Sequence, residues 1–169
     1  MSAAGVDDED GERERERPGA GGRRRSIARL GAIQALYQLA LNPGRGAEVA
    51  IGEFLHHRLG REIDGELYGE ADEALFADIV RGVTDHRGQL DETIAASLNE
   101  EWPLRRLETI LRLILEAGAY ELAHRPDIPP RVTLAEYVAI AHAFFDGKEP
   151  GLANGVLNRL ARALRAAEL

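Results

Sequence analysis

The residues best suited to chemistry are a group of arginines near the N-terminus. Arg23, Arg24 and Arg25 stand together with no acid beside them, and Arg29 follows one helical turn later. A guanidinium is planar, always charged and forked, so it suits bidentate contact with phosphate. At the start of a helix such residues share the free N–H groups and positive dipole end found there, which also attract anions. The expected chemistry is phosphate binding on nucleic acid, weakening with salt by a slope of about −0.7 per contact on single strands. Tyr37 lies on the same segment, and an aromatic side chain near a basic arm can stack a base. Plainer readings stay open beside these: three arginines also make a solubilising tail, and a tyrosine on an apolar face also makes core.

Nothing comparable supports catalysis. The sequence has no cysteine, which excludes thiolate nucleophiles, disulfides and cysteine-bound zinc. Ser2, Ser26 and Ser97 do not sit in a strand–turn–helix elbow. Gly19-Ala20-Gly21-Gly22 lacks the lysine and the preceding strand of a phosphate loop. His56 and His57 are adjacent and diverge by about 100° on a helix, while His86, His124 and His142 lack ligand spacing. No carboxylate pair sits among apolar neighbours that would separate its pKa values. The expectation is a protein with no catalytic residues, no metal and no cofactor.

The elements that must position the arginines are helical. The 169 residues are 44% hydrophobic, enough for one domain around one core. The net charge is −8, so any basic surface is a local patch on an acidic background. Residues 1–25 have little to bury and are expected to be a disordered charged arm, balanced in sign up to Arg17 and arginine-rich at its end. Residues 26–169 are expected to form the folded domain. Ser26 is the expected N-cap of a first helix carrying Ile27, Leu30, Ile33, Leu36, Tyr37 and Leu41 at helical spacing.

Further helices are expected over about 46–59 (with Val49, Ile51, Phe54, Leu55 and Leu59 inward and Gly60 as the stop), 70–86 and 89–98, the last two separated at Gly88. Residues 61–69 read as a polar loop. Trp102-Pro103 is expected to open a fifth helix that is apolar nearly all round, hence central. Two more follow, over about 132–145 and 150–167, the last burying Leu152, Val156, Leu160 and Leu164. The fold class is therefore all-α, with about seven helices. No apolar run approaches the ~20 residues needed to cross a bilayer, and no signal-peptide core is visible; a cytoplasmic protein without a membrane partner is expected.

The run Arg24-Arg25-Ser26-Ile27-Ala28-Arg29-Leu30-Gly31-Ala32-Ile33-Gln34-Ala35-Leu36-Tyr37-Gln38 resembles the opening of the NusB transcription antitermination family. Phe76-Ala77-Asp78-Ile79-Val80-Arg81-Gly82-Val83 is similar to that family's third-helix signature. Ala119-Tyr120-Glu121-Leu122 and Pro126-Asp127-Ile128-Pro129 are similar to its fifth-helix end and following loop. The stretch from Glu136 through Phe144-Phe145-Asp146-Gly147 to Asn154-Gly155-Val156-Leu157 resembles the alphaproteobacterial type. The resemblance covers about residues 24–165. It implies a bundle of seven helices in two packed subdomains that binds boxA-type single-stranded RNA of ribosomal RNA transcripts. It implies as partners the small-subunit ribosomal protein NusE and, in a larger complex, NusA, NusG and RNA polymerase; pairing into a homodimer stays open. The family's arginine arm falls on Arg23, Arg24, Arg25 and Arg29, its RNA-facing first-helix positions on Gln34 and Tyr37, and an RNA-adjacent stretch near Lys148.

Several positions depart from the family, among them Leu152, which replaces an aromatic and so removes a possible stacking group. Ala135 stands where the family has asparagine, Glu116 where it has arginine, and Asn158 where it has aspartate. They suggest a rewired structural network, or a diverged paralogue acting as a protein–protein adaptor without boxA specificity. The same fold also occurs as the N-terminal part of some ribosomal RNA cytosine methyltransferases, but no cofactor-binding βαβ pattern follows here.

Overall fold

The computed structural model describes residues 20–57, 62–63, 66–67, 71–98 and 102–169. Among them are six α-helices: α1 (Ala20–Leu41), α2 (Ala47–His57), α3 (Glu73–Ser97), α4 (Thr109–His124), α5 (Pro130–Phe144) and α6 (Glu149–Arg165). Short 3₁₀ turns occupy Leu104–Arg106 and Ala166–Glu168. A two-residue antiparallel pairing, Glu62 with Leu67 and Ile63 with Glu66, lies within the expected polar loop.

Helix α4 is the centre. Every residue from Leu113 to Leu122 is buried, so no face is left for water, as its nearly continuous apolar pattern requires. Helices α1, α3, α5 and α6 pack around it, and α2 rests on α1 and α3. Alanines at Ala28, Ala32 and Ala35 line the inward side of α1, small enough to bring its backbone close to α3 and α4. One hydrophobic cluster runs through all six helices, so no break in the core marks the division into two subdomains that the resemblance implies.

Several sequence expectations are corrected. The helices expected over 70–86 and 89–98 are one, because Gly88 does not interrupt α3. A mid-helix glycine costs only about 1 kcal/mol relative to alanine, and Val83, Leu90 and Ile94 remain buried on both sides of it. Ser26 is not an N-cap. Helix α1 begins six residues earlier, so Arg23, Arg24 and Arg25 are helical, and the Ser26 hydroxyl donates to the Gly22 carbonyl at 3.0 Å. Trp102-Pro103 leads into a 3₁₀ turn, and Leu107 and Glu108 are extended. Helix α4 starts only at Thr109, where the Glu108 carboxylate accepts from the Ile110 N–H at 3.1 Å. Val49 is exposed because Ala50, Ile51 and Phe54 set the inward side of α2. Leu164 is exposed while its neighbour Arg165 is buried. The arm over 1–19, together with Leu59 and Gly60, lies outside the described residues.

Candidate nucleic-acid interface

Helical geometry divides the arginines. At 100° per residue, Ile27, Leu30, Gln34, Tyr37 and Leu41 all fall within about 40° of Arg23, whereas Arg25 and Arg29 project from the far side. The helix obeys this. Arg23 is exposed, Ile27, Leu30, Gln34 and Tyr37 are half-buried, and the opposite side carries the buried Ala28, Arg29, Ala32 and Leu36. Arg23 and Tyr37 therefore share an accessible stripe, separated along the axis by about 21 Å.

Arg29 is turned into the protein, at the buried side of the cleft that Arg24 and Arg25 also line. It is 1% exposed, and its guanidinium donates to the fully buried Glu121 through Nε at 3.1 and 2.9 Å and Nη2 at 2.9 Å. Burial works against its charge, but the hydrogen bonds and charge of Glu121 outweigh that and hold its pKa above the ordinary value. Glu136 lies 3.7 Å away on the other side, and its Oε1, 2.9 Å from the Ser26 hydroxyl, shares that group's single proton with the Gly22 carbonyl. The Tyr137 hydroxyl is sealed in the same place, its pKa pushed well up by burial and then by the Glu121 charge. No local pattern marks this pair, since Arg29 and Glu121 are 92 residues apart.

Arg24 and Arg25 line the same cleft, of about 640 Å³. Its walls come from Gly21 and Gly22 at the start of α1, Asp72 before α3, Ile128 and Pro129 from the α4–α5 loop, and Val132 and Glu136 on α5. Arg25 Nε is 3.7 Å from Asp72, both side chains about one-third exposed. Such a loose, half-solvated pair is worth about 0–1 kcal/mol, so a phosphate could replace the carboxylate at little cost. Asp72 is otherwise engaged: it caps α3, accepting from the Leu75 N–H at 2.9 Å.

A second cleft, of about 190 Å³, opens on the accessible stripe of α1. It is lined by Ile33, Gln34, Tyr37, Gln38, Ile110 and Phe144. The structure thus brings Gln34 and Tyr37 together and adds Phe144, which is 39% exposed. Two adjacent phenylalanines at a helix end cannot both face the core, and Phe145 takes the packed place; that was the available signal for Phe144. Lys148 is exposed at the N-terminus of α6 and lines neither cleft.

The chain's length and order of elements have close counterparts. The sequence profile of the NusB family matches residues 26–162. The chain belongs to the NusB family. A relative from Nitrobacter hamburgensis, "Transcription antitermination protein NusB", is 47% identical over 145 residues, covering 86% of this chain and 90% of its own length. One of the same description from Rhizobium johnstonii is 48% identical over 150 residues, covering 89% and 93%. Among solved structures, T. maritima NusB superposes with a TM-score of 0.70 at 26% identity, covering 85% of this chain and 95% of that one. A chain from the crystal structure of antitermination factors NusB and NusE in complex with dsRNA gives 0.67 at 22% identity, covering 83% and 98%.

The departures from the NusB pattern resolve into local arrangements. Glu116 is 1% exposed and paired with Arg87 at 2.8 Å and Arg112 at 3.6 Å, and Arg112 also reaches Asp91 at 2.7 Å. Burial pushes the Glu116 pKa up, with Arg87 opposing it. The Asn158 amide bonds Asn154 on its own helix, and among the described residues no bond joins it to Glu116. Ala135 is exposed. Among the described residues no helix is long and apolar enough to cross a membrane.

Proposed function

We propose that this NusB-family chain is an RNA-binding transcription antitermination factor of the cytoplasm, acting by binding rather than catalysis. In this reading it recognises boxA-type single-stranded RNA of ribosomal RNA transcripts together with NusE, and joins NusA, NusG and RNA polymerase. The observation that carries it is the surface of α1. Arg23 stands on the same stripe as Gln34 and Tyr37, Tyr37 and Phe144 flank one cleft, and Arg24 and Arg25 line the next. Charge for phosphates and aromatic faces for bases are the two needs of single-strand binding. The relatives named as antitermination proteins, and the likeness to a chain solved with NusE and RNA, support the same reading.

The test is a titration with boxA-containing and scrambled RNA, with and without NusE, at several salt concentrations. Replacing Arg23, Arg24 and Arg25 by alanine weakens binding and flattens the salt slope by about two units. Tyr37→Ala and Phe144→Ala weaken binding with the slope unchanged, because stacking releases no counterions. An unchanged slope in the triple variant removes the arginines from the interface. Equal affinity for boxA and scrambled RNA would favour the adaptor reading instead.

A further inference from the structure

We infer that Arg165, at the C-terminal end of α6, is a positioning residue that fixes the loop between α4 and α5 as a wall of the RNA-facing cleft. The inference rests on the RNA-binding reading above. The side chain of Arg165 is 6% exposed and every one of its five N–H donors has an acceptor. Nη1 donates to the Ile128 carbonyl at 2.7 Å and the Arg125 carbonyl at 3.3 Å; Nη2 donates to the Pro126 carbonyl at 3.2 Å and to Glu168 Oε1 at 2.5 Å; Nε donates to Glu168 Oε2. Three backbone carbonyls within four residues are thus gathered onto one planar cation, and the carboxylate of Glu168 braces it from behind.

Those carbonyls belong to a segment with few bonds of its own. Arg125 ends α4, and the one described backbone bond within the loop is from the Ile128 N–H to the Arg125 carbonyl at 3.1 Å. Pro126 and Pro129 have no N–H to offer. The loop's outer side is tied by Arg125, which reaches Asp78 on α3 at 3.0 Å and Asp127 at 2.9 Å. Its inner side is held by the buried Ile128 side chain and by Arg165. Ile128 and Pro129 in turn line the same cleft as Arg24 and Arg25. Arg165 does not line that cleft, so its effect on a ligand must pass through the loop. Lysine cannot take its place: an ammonium has three donors and no planar fork.

Arg165→Met, Arg165→Lys and Glu168→Gln are compared with the wild type by RNA titration across salt, amide exchange and thermal melting. The two Arg165 variants are expected to bind boxA RNA about three- to tenfold more weakly, the cost of ordering the loop at binding. Their salt slope stays that of the wild type, and exchange at the Ile128 amide rises while α3 amides do not change. Glu168→Gln shows the same signature at smaller amplitude and carries the test should Arg165→Met fail to fold. A slope flattened by about 0.7 would make Arg165 a direct phosphate contact and overturn the inference. So would wild-type affinity in Arg165→Lys, since charge alone would then suffice, or wild-type affinity and exchange in all three. If the wild type binds no RNA, the functional reading fails, while exchange at Ile128 still decides whether Arg165 holds the loop.

Discussion

Replacing Arg29 by methionine separates the two roles its position suggests. Methionine keeps much of the aliphatic stem and withdraws the charge. What remains is the Glu121 carboxylate, 0% exposed, with the Tyr137 hydroxyl beside it and Glu136 on the far side of the vacated guanidinium. Removing one partner of a buried ion pair costs about 3–5 kcal/mol, because the other charge is left unpaired. Total stability of a domain is about 5–15 kcal/mol, so the variant should still fold with a large share of its stability gone. At a urea dependence of about 2 kcal/mol per molar, a loss of 4 kcal/mol moves the unfolding midpoint down by about 2 M. Adding Glu121→Leu removes the stranded charge, and the double variant should recover most of the loss, since apolar replacement of a whole buried pair is often neutral or stabilising. In RNA titrations the single variant keeps the wild-type salt slope. A loss below about 1 kcal/mol together with a slope flattened by about 0.7 would refute the reasoning, and would make Arg29 the phosphate contact its sequence neighbours suggest.

Two glycines allow a graded comparison of packing. A Cβ on Gly82 would sit 2.1–2.6 Å from the Tyr120 ring, whereas one on Gly118 would meet the flexible end of Leu157 at 2.8 Å. Gly82→Ala should lose more than about 2 kcal/mol despite its better helix propensity, and Gly118→Ala less than about 1, as measured by urea unfolding. Acid dependence should show two opposite contributions. Burial, and then the stacked His86 at 4.4 Å, lower the His124 pKa, so the folded state resists protonation and stability falls as pH drops through the ordinary histidine range; His124→Gln should reduce that fall. Glu116 has a raised pKa, so its contribution is present at low pH and is lost as pH rises through the folded value, and Glu116→Gln should flatten that part of the profile.

Much of the fold was legible along the chain. The position of α4 at the centre followed from an apolar pattern that leaves no polar stripe wide enough for water. Pro130 and Pro150 both sit in a first helical turn, where a missing N–H is harmless. The boundaries that misled were those set by a single residue. Gly88 and Ser26 have strong local preferences, yet packing on both sides of Gly88 and the earlier start of α1 overrode them, because a preference near 1 kcal/mol is small against the burial of several side chains.

The site was legible only as composition. From sequence, Arg23, Arg24, Arg25 and Arg29 are four equivalent cations, and Tyr37 is either core or stacking platform. Only the tertiary structure made them unequal, sending Arg23 to the accessible stripe, Arg24 and Arg25 into a cleft, and Arg29 into the core. It also built the cleft walls from Asp72, Ile128, Pro129 and Glu136, and placed Phe144 beside Tyr37. The sequence by itself determined which chemistry was available, because charge, aromaticity and periodicity are properties of residues and their neighbours. Which arginine meets solvent and which meets Glu121 depends on groups brought together across 92 residues, and no local pattern encodes a partner that arrives only when the helices pack.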